Sequence, residues 1–327
     1  MQPRGLVRVV VLLGCMAAPA HATDCKPAGG VSPCLDAEAL WLAQGRSGFL
    51  GIESTAVPAA HALSVGAGTS YSHRPLVLNV PSPDPEGRDV NVVRHLVTTT
   101  YTMSYAPLAG LEATLSTPFS PLQDGAGTEA ITSRVSAPLP RAAVRDPRLG
   151  AAYTLRLSDV GTLRAQADIT LPLGDERALA GEEGVGVAPR LTFGAVVEHV
   201  ELAGSLGARV RRSVPFASVT WGSELSTALG ALVHVLSRDQ LNVALEGHVR
   251  NSLYDQASGG VLAPAEWLLS VQSAPFTDPG LLLQLGGGTA LPLSSLDREG
   301  QTEQFAGLTS PRVRGVFVVR YTTPATP

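Results

Sequence analysis

The chain has 327 residues, of which 44% are hydrophobic, 16% charged and 5% aromatic, with a formal net charge of −4. A soluble globular protein carries about 25% charged residues, so the composition is too poor in charge for an ordinary solvated surface and too apolar for disorder. Beyond the N-terminus no run reaches the roughly 18 apolar residues of a membrane helix, and the slight acidity gives no reason to expect nucleic acid as a partner.

In chain order, residues 1–22 read as a secretory signal. Arg4 and Arg8 form a positive region, Val9 to Leu13 begin an apolar one, and Ala20-His21-Ala22 is an A-x-A cleavage site. A competing reading takes Leu12-Leu13-Gly14-Cys15 as a lipoprotein signal with Cys15 lipidated. Residues 23–59 then form an N-terminal periplasmic segment rich in Pro and Gly, with one modestly amphipathic stretch from Leu35 to Leu42. Cys25 and Cys34 are an even pair in an exported chain and are expected to form a disulfide. Metal binding is the weaker reading, since no His or second Cys pair stands nearby to complete a tetrahedral site.

From Ala62 onward the pattern has period two, the signal of half-buried β-strands. Leu63, Val65, Ala67, Thr69 and Tyr71 alternate with small or polar residues. The same holds for Val97 to Tyr105, Leu111 to Phe119, Leu149 to Leu157 and Leu163 to Leu171. Further strands are predicted near 187–198, 200–211, 223–236, 241–250, 265–275, 281–292 and 311–322, giving twelve. Short connections at 106–110, 158–161, 198–200, 237–240 and 277–280 alternate with long ones at 74–92, 120–147, 172–188, 211–222, 251–264 and 293–310. Tight turns at one rim and long loops at the other are the layout of a transmembrane β-barrel, and closure is how strands satisfy their backbone polar groups in hydrocarbon. The expected fold class is therefore all-β, an antiparallel outer-membrane barrel of about twelve strands over residues 60–322, with a Pro-rich tail at 323–327. Tyr71, Tyr105, Phe119, Trp221, Trp267, Phe276 and Tyr321 fall near strand ends, where interface girdles sit.

Four segments carry a family resemblance: Cys34-Leu-Asp-Ala-Glu-Ala-Leu-Trp41, Val80-Pro-Ser-Pro-Asp-Pro-Glu-Gly-Arg88, Asp146-Pro-Arg-Leu-Gly150 and Ala167-Asp-Ile-Thr-Leu-Pro-Leu-Gly174. They resemble the N-terminal barrel of OmpA-family outer-membrane proteins of myxobacteria and relatives. The Asp-Pro-Arg-Leu-Gly and Leu-Pro-Leu-Gly hairpin is also similar to outer-membrane proteins of the transporter type. The resemblance implies a barrel without catalytic motifs. In the OmpA-type proteins a Pro-rich linker and a peptidoglycan-binding domain follow the barrel, and here only Thr323-Pro-Ala-Thr-Pro327 stands in that place.

The register predicts a lumen lined by Glu112, Arg156, Arg164, Asp168, Arg190, Arg209, Glu224, Glu246, Arg250, Arg312, Arg314 and Arg320. Such mixed charges either pair into a network that fills the interior or line a water-filled path. His234, Glu246, His248 and Ser226 share the inward face, but their spacing gives no triad, and Glu246-Gly-His248 is weak as a metal pair. Gly286-Gly-Gly288 lacks the strand-then-helix setting of a phosphate loop and fits close strand packing instead. The expected function is a structural envelope barrel of the OmpA kind, with a passive channel or transporter for small solutes as the alternative. No enzymatic activity, cofactor or metal is expected. Expected partners are outer-membrane lipids and lipopolysaccharide, the barrel assembly machinery and small polar solutes.

Overall fold

A computed structural model describes residues 25, 31–80, 88–128, 139–216, 219–236, 240–253, 263–273, 280–291 and 310–323. The signal region, the Pro81–Pro85 loop and Phe276 lie outside them. Among the described residues fifteen strands follow in chain order: β1 Leu63–Val80, β2 Arg88–Leu108, β3 Leu111–Asp124, β4 Ala143–Val144, β5 Arg148–Arg156, β6 Gly161–Thr170, β7 Gly186–Val197, β8 Val200–Arg209, β9 Val214–Phe216, β10 Val219–Trp221, β11 Glu224–His234, β12 Asn242–Ser252, β13 Ala265–Ser273, β14 Leu281–Ala290 and β15 Val313–Thr322.

Leaving out β4, β9 and β10, each strand pairs antiparallel with its neighbour in sequence, and β15 returns to pair with β1 over Ser64↔Thr322 to His73↔Val313. The result is a closed twelve-stranded barrel at the positions where the period-two pattern lies. Closure gives each of the twelve barrel strands a partner on both sides. β9 and β10 form a separate ribbon among the long connections, and β4 adds to β3 there.

The alternation decides which face each residue occupies. In β6, Arg164, Gln166, Asp168 and Thr170 are buried inside while Ala165, Ala167 and Ile169 face out. Outward Tyr101, Phe193, Leu229 and Leu285 are exposed on the wall, as lipid contact requires. Tyr71 near the long-loop rim, and Tyr105 and Tyr321 near the short-turn rim, bracket this apolar belt. The short turn between β2 and β3 is tight. At Gly110, with φ +82°, a Cβ would lie 2.8 Å from the Thr154 carbonyl oxygen, so only glycine fits.

Three expectations need correction. The connection at 74–92 is mostly strand, because β1 and β2 continue well past the belt. The apolar run Leu76-Val77-Leu78 with Val90, Val92 and Val93 is buried there, under the long loops. Trp221 is not in a girdle but 5% exposed in the same cluster, with the Arg211 guanidinium carbon 4.7 Å from its ring centroid. Over its described residues 31–56 the N-terminal segment does not stand apart from the barrel. Residues 31–56 run through the lumen, and their apolar side chains cluster with inward wall residues such as Leu268, Val316, Val318 and Leu232.

Candidate functional site: a plugged, charged lumen

The lumenal segment starts at the long-loop rim. Cys25 and Cys34 are joined in a disulfide with Cα atoms 5.3 Å apart, packed with Leu35, Leu76, Leu78, Phe216 and Trp221. Val31 bridges Phe216, and Asp36 bridges Ala180 while pairing with the buried Arg145. The chain then descends. Glu38 accepts from Arg314 at 2.7 Å and from the Ser70 hydroxyl at 2.9 Å. Trp41 lies under the Arg148 and Arg209 guanidinium groups, 4.1 and 4.6 Å from its ring centroid, a cation–π arrangement that holds desolvated cations against an apolar surface.

Residues 43–53 fold back on themselves and are clasped by the wall. The Ala43 N–H donates to the Leu50 carbonyl, and the Glu53 carboxylate accepts the Gln44 N–H. On β12 the Glu246 carboxylate accepts the Leu50 and Gly51 N–H groups, the latter at 2.9 Å. From β15, Arg320 donates to the Ser47 and Ala43 carbonyls at 2.8 and 2.9 Å, and Gln284 donates to the Gly48 carbonyl. Thus a turn with little internal structure has its backbone polar groups satisfied by barrel side chains, which is the condition for burying it.

Its apolar side chains fill sockets made by wall glycines. A Cβ on Gly230 would lie 2.7 Å from the Phe49 ring and 2.8 Å from Ile52 Cδ1. One on Gly286 would lie 2.7 Å from Leu50 Cδ1, one on Gly68 2.3 Å from Leu42 Cδ1, and one on Gly194 2.6 Å from Thr55 Cβ. The segment leaves at the short-turn rim, where the Gly110 N–H donates to the Pro58 carbonyl and the His61 N–H to that of Ala106.

Ten of the twelve proposed lumen residues are buried or half-buried on the inward face: Glu112, Arg164, Asp168, Arg190, Arg209, Glu224, Glu246, Arg250, Arg314 and Arg320. Arg156 and Arg312 share the inward parity but stand at the two rims, exposed. Arg164 pairs with Glu112 at 2.7 Å, and Arg209 with Glu182 at 2.9 Å. Arg211 joins Glu182 to Glu224, and Arg314 joins Glu38 to Glu266. Arg190 faces Glu53 of the lumenal segment at 3.6 Å. The pattern also places Arg211 and Glu266 inward, but it misses Asp36, Glu38 and Glu53, which belong to the segment, and Arg145 and Glu182, which belong to the long connections.

The nucleophile-like set is not assembled. His234 bonds to Asn242 at 2.8 Å, Ser226 lies opposite Arg250, and Glu246 opposite Gly230. Four residues of strand, about 13 Å, separate the His234 and Glu246 levels. Glu246 receives His248 Nε2 at 3.1 Å besides the two N–H groups of the turn, so its role here is to hold the backbone. Gly286 serves as a socket, as close packing predicts for its strand. Cys25, Cys34 and Glu176 lie close together, but both sulfurs are committed to the disulfide.

Between the lumenal segment and the wall in the long-loop half is a cavity of about 80 Å³, lined by Trp41, Arg190, Arg209, Glu224, His248 and Glu266 among others. Towards the short turns the cluster of Phe49, Ile52, Ala203, Ala228, Leu232 and Ala244 closes the way.

No family model and no curated protein matches this chain. Among solved structures it is similar to the COG4313 outer membrane channel from Pseudomonas putida F1, with a TM-score of 0.58 at 14% identity, covering 82% of this chain and 97% of that one. This is the fold of an outer-membrane β-barrel. Lower scores relate it to the KdgM porin in complex with disordered oligogalacturonate (0.43, 8% identity, 80% and 99% covered) and to a deltaS2 mutant of the TodX monoaromatic hydrocarbon channel (0.41, 12%, 81% and 90%).

Proposed function

We propose that the protein is a passive outer-membrane channel for small polar solutes whose lumen is occupied by residues 31–56 at rest. The observation that carries this reading is the contrast within the lumen. A polar, water-sized space with cations and carboxylates on its walls meets an apolar step of a few side chains, Phe49 and Ile52 over Gly230. A barrel built only as an envelope anchor has no need for a charged cavity, since twelve strands enclose a lumen that side chains and one segment could fill throughout. Movement of the 43–53 turn away from Gly230 joins that cavity to the short-turn rim. The similarity of fold to a bacterial outer-membrane channel supports the same reading.

A structural envelope role, of the kind the OmpA-type resemblance implies, is the second reading, favoured by the density of ion pairs between segment and wall. Planar-bilayer recording of the purified full-length chain separates the two. The channel reading expects small, reproducible openings. Silent bilayers, from protein whose heat-modifiable gel migration shows a closed barrel, would overturn it and leave the envelope role.

A further inference from the structure

Three arginines from separate wall strands converge on one indole of the lumenal segment. Arg148 on β5, Arg190 on β7 and Arg209 on β8 all have the inward parity, and their guanidinium carbons lie 4.1, 6.0 and 4.6 Å from the centroid of the Trp41 ring. Arg148 and Arg209 are only 5% and 8% exposed.

Like charges gathered in a low-dielectric interior repel, and the surrounding carboxylates offset this only in part. Arg209 shares Glu182 with Arg211, and Arg190 stands 3.6 Å from Glu53. Arg148 donates to the Ser116 hydroxyl at 3.0 Å and, among the described residues, pairs with no carboxylate. The Nε atoms of Arg148 and Arg209 are buried and meet no acceptor among the described residues. A buried donor left in that state carries its desolvation cost in full.

Arg190 and Arg209 both border the cavity of about 80 Å³ beside Trp41, as do Arg250 and His248. Its carboxylates are engaged elsewhere, Glu224 with Arg211 at 3.1 Å and Glu266 with Arg314 at 3.0 Å. The volume is room for about two or three waters, or for one anion the size of acetate. Leu40, Ala188 and Ala228 line the same space, so it offers an apolar surface beside its donors. An alkyl carboxylate uses both; an inorganic anion uses only the donors.

We infer that this cavity binds a small aliphatic carboxylate, its oxygens on the Arg209 and Arg190 guanidinium groups beside the Trp41 ring and its alkyl end against Leu40 and Ala228. A guanidinium fork matches a carboxylate in charge and geometry, and Arg148 adds positive charge alongside the same indole. Trp41 and Leu40 come from the segment and the arginines from the wall. The site is therefore complete only while residues 31–56 are seated, and the anion favours that seated state by linkage. The inference concerns equilibrium binding and does not depend on whether the lumen conducts.

Trp41 fluorescence of the full-length protein in detergent tests it, in a Trp221→Phe/Trp267→Phe background that leaves Trp41 as the sole indole. The probes are acetate, acetamide as its uncharged counterpart, and chloride. Acetate is expected to bind at least about tenfold more tightly than acetamide, and Arg148→Gln/Arg209→Gln to abolish the acetate response. That variant strands no described carboxylate, since Glu182 keeps Arg211, and heat-modifiable migration verifies its closed barrel. Arg177→Gln/Arg212→Gln, exposed in the loops, keeps the parent response. Acetate and acetamide binding alike, an unaltered response in the Arg148→Gln/Arg209→Gln variant, or chloride binding as tightly as acetate would each overturn the inference.

Discussion

The ring of Phe49 occupies the space that a side chain at Gly230 would need, 2.7 Å from where a Cβ would stand. Interiors are packed closely enough that such an overlap cannot be absorbed without movement. Gly230→Leu is therefore expected to push the 43–53 turn off the wall while leaving the barrel closed, since residue 230 lies within a ladder paired on both sides. Hydrogen exchange reads this directly: the Leu50 and Gly51 amides should lose protection while those of β11 and β12 keep theirs.

Glu246 receives those same two amides. Hydrogen bonds to a charged acceptor contribute about 1.5–3 kcal/mol each, so Glu246→Ala should speed exchange at Leu50 and Gly51 by at least tenfold, with Glu246→Gln intermediate. Equal protection in the wild type and the Ala variant would show that the sockets alone hold the turn.

Arg314 is buried between Glu38 at 2.7 Å and Glu266 at 3.0 Å. Removing one partner of a buried ionic group leaves charge without compensation, at about 3–5 kcal/mol. Arg314→Ala should lower denaturant resistance by that order. The triple change Arg314→Met/Glu38→Gln/Glu266→Gln should recover much of it, because it removes the charges together.

Asp146, in the long connection ahead of β5, accepts the Gly174 and Glu182 N–H groups at 2.7 and 2.9 Å. Burial outweighs these donors and, with Asp36 and Glu182 nearby, pushes its carboxyl up from 3.8 to about 7. The folded state thus holds this proton more tightly than the unfolded chain, and the contribution to stability is full below about pH 4 and lost as pH rises to about 7. Melting of the wild type against Asp146→Asn across that interval should show a pH-dependent difference that vanishes at the acidic end. A constant difference would contradict the assignment.

The barrel was legible because lipid on one side and a polar lumen on the other impose a strict alternation, visible in runs such as Leu163 to Leu171. The lumenal segment was not. Leu42, Leu50, Thr55 and the pair Phe49 and Ile52 fit sockets on four different strands, so their spacing follows neither a helix nor a strand period. The sockets themselves are absences: Gly68, Gly194, Gly230 and Gly286 read in sequence as weak points or bends. Inward glycines recurring on separate strands were the available signal. The charged lumen was half legible for a related reason, since parity gives the direction of Arg314 or Arg190, but Glu38 and Glu53 lie far away in sequence.

The most direct test of the central claim is the ratio of single-channel conductance between Gly230→Leu and wild type in the same planar bilayers, each protein first verified as a closed barrel. A lumen gated by residues 43–53 predicts small openings in the wild type and openings several-fold larger in the variant. Equal conductance, or silence from both, would contradict it.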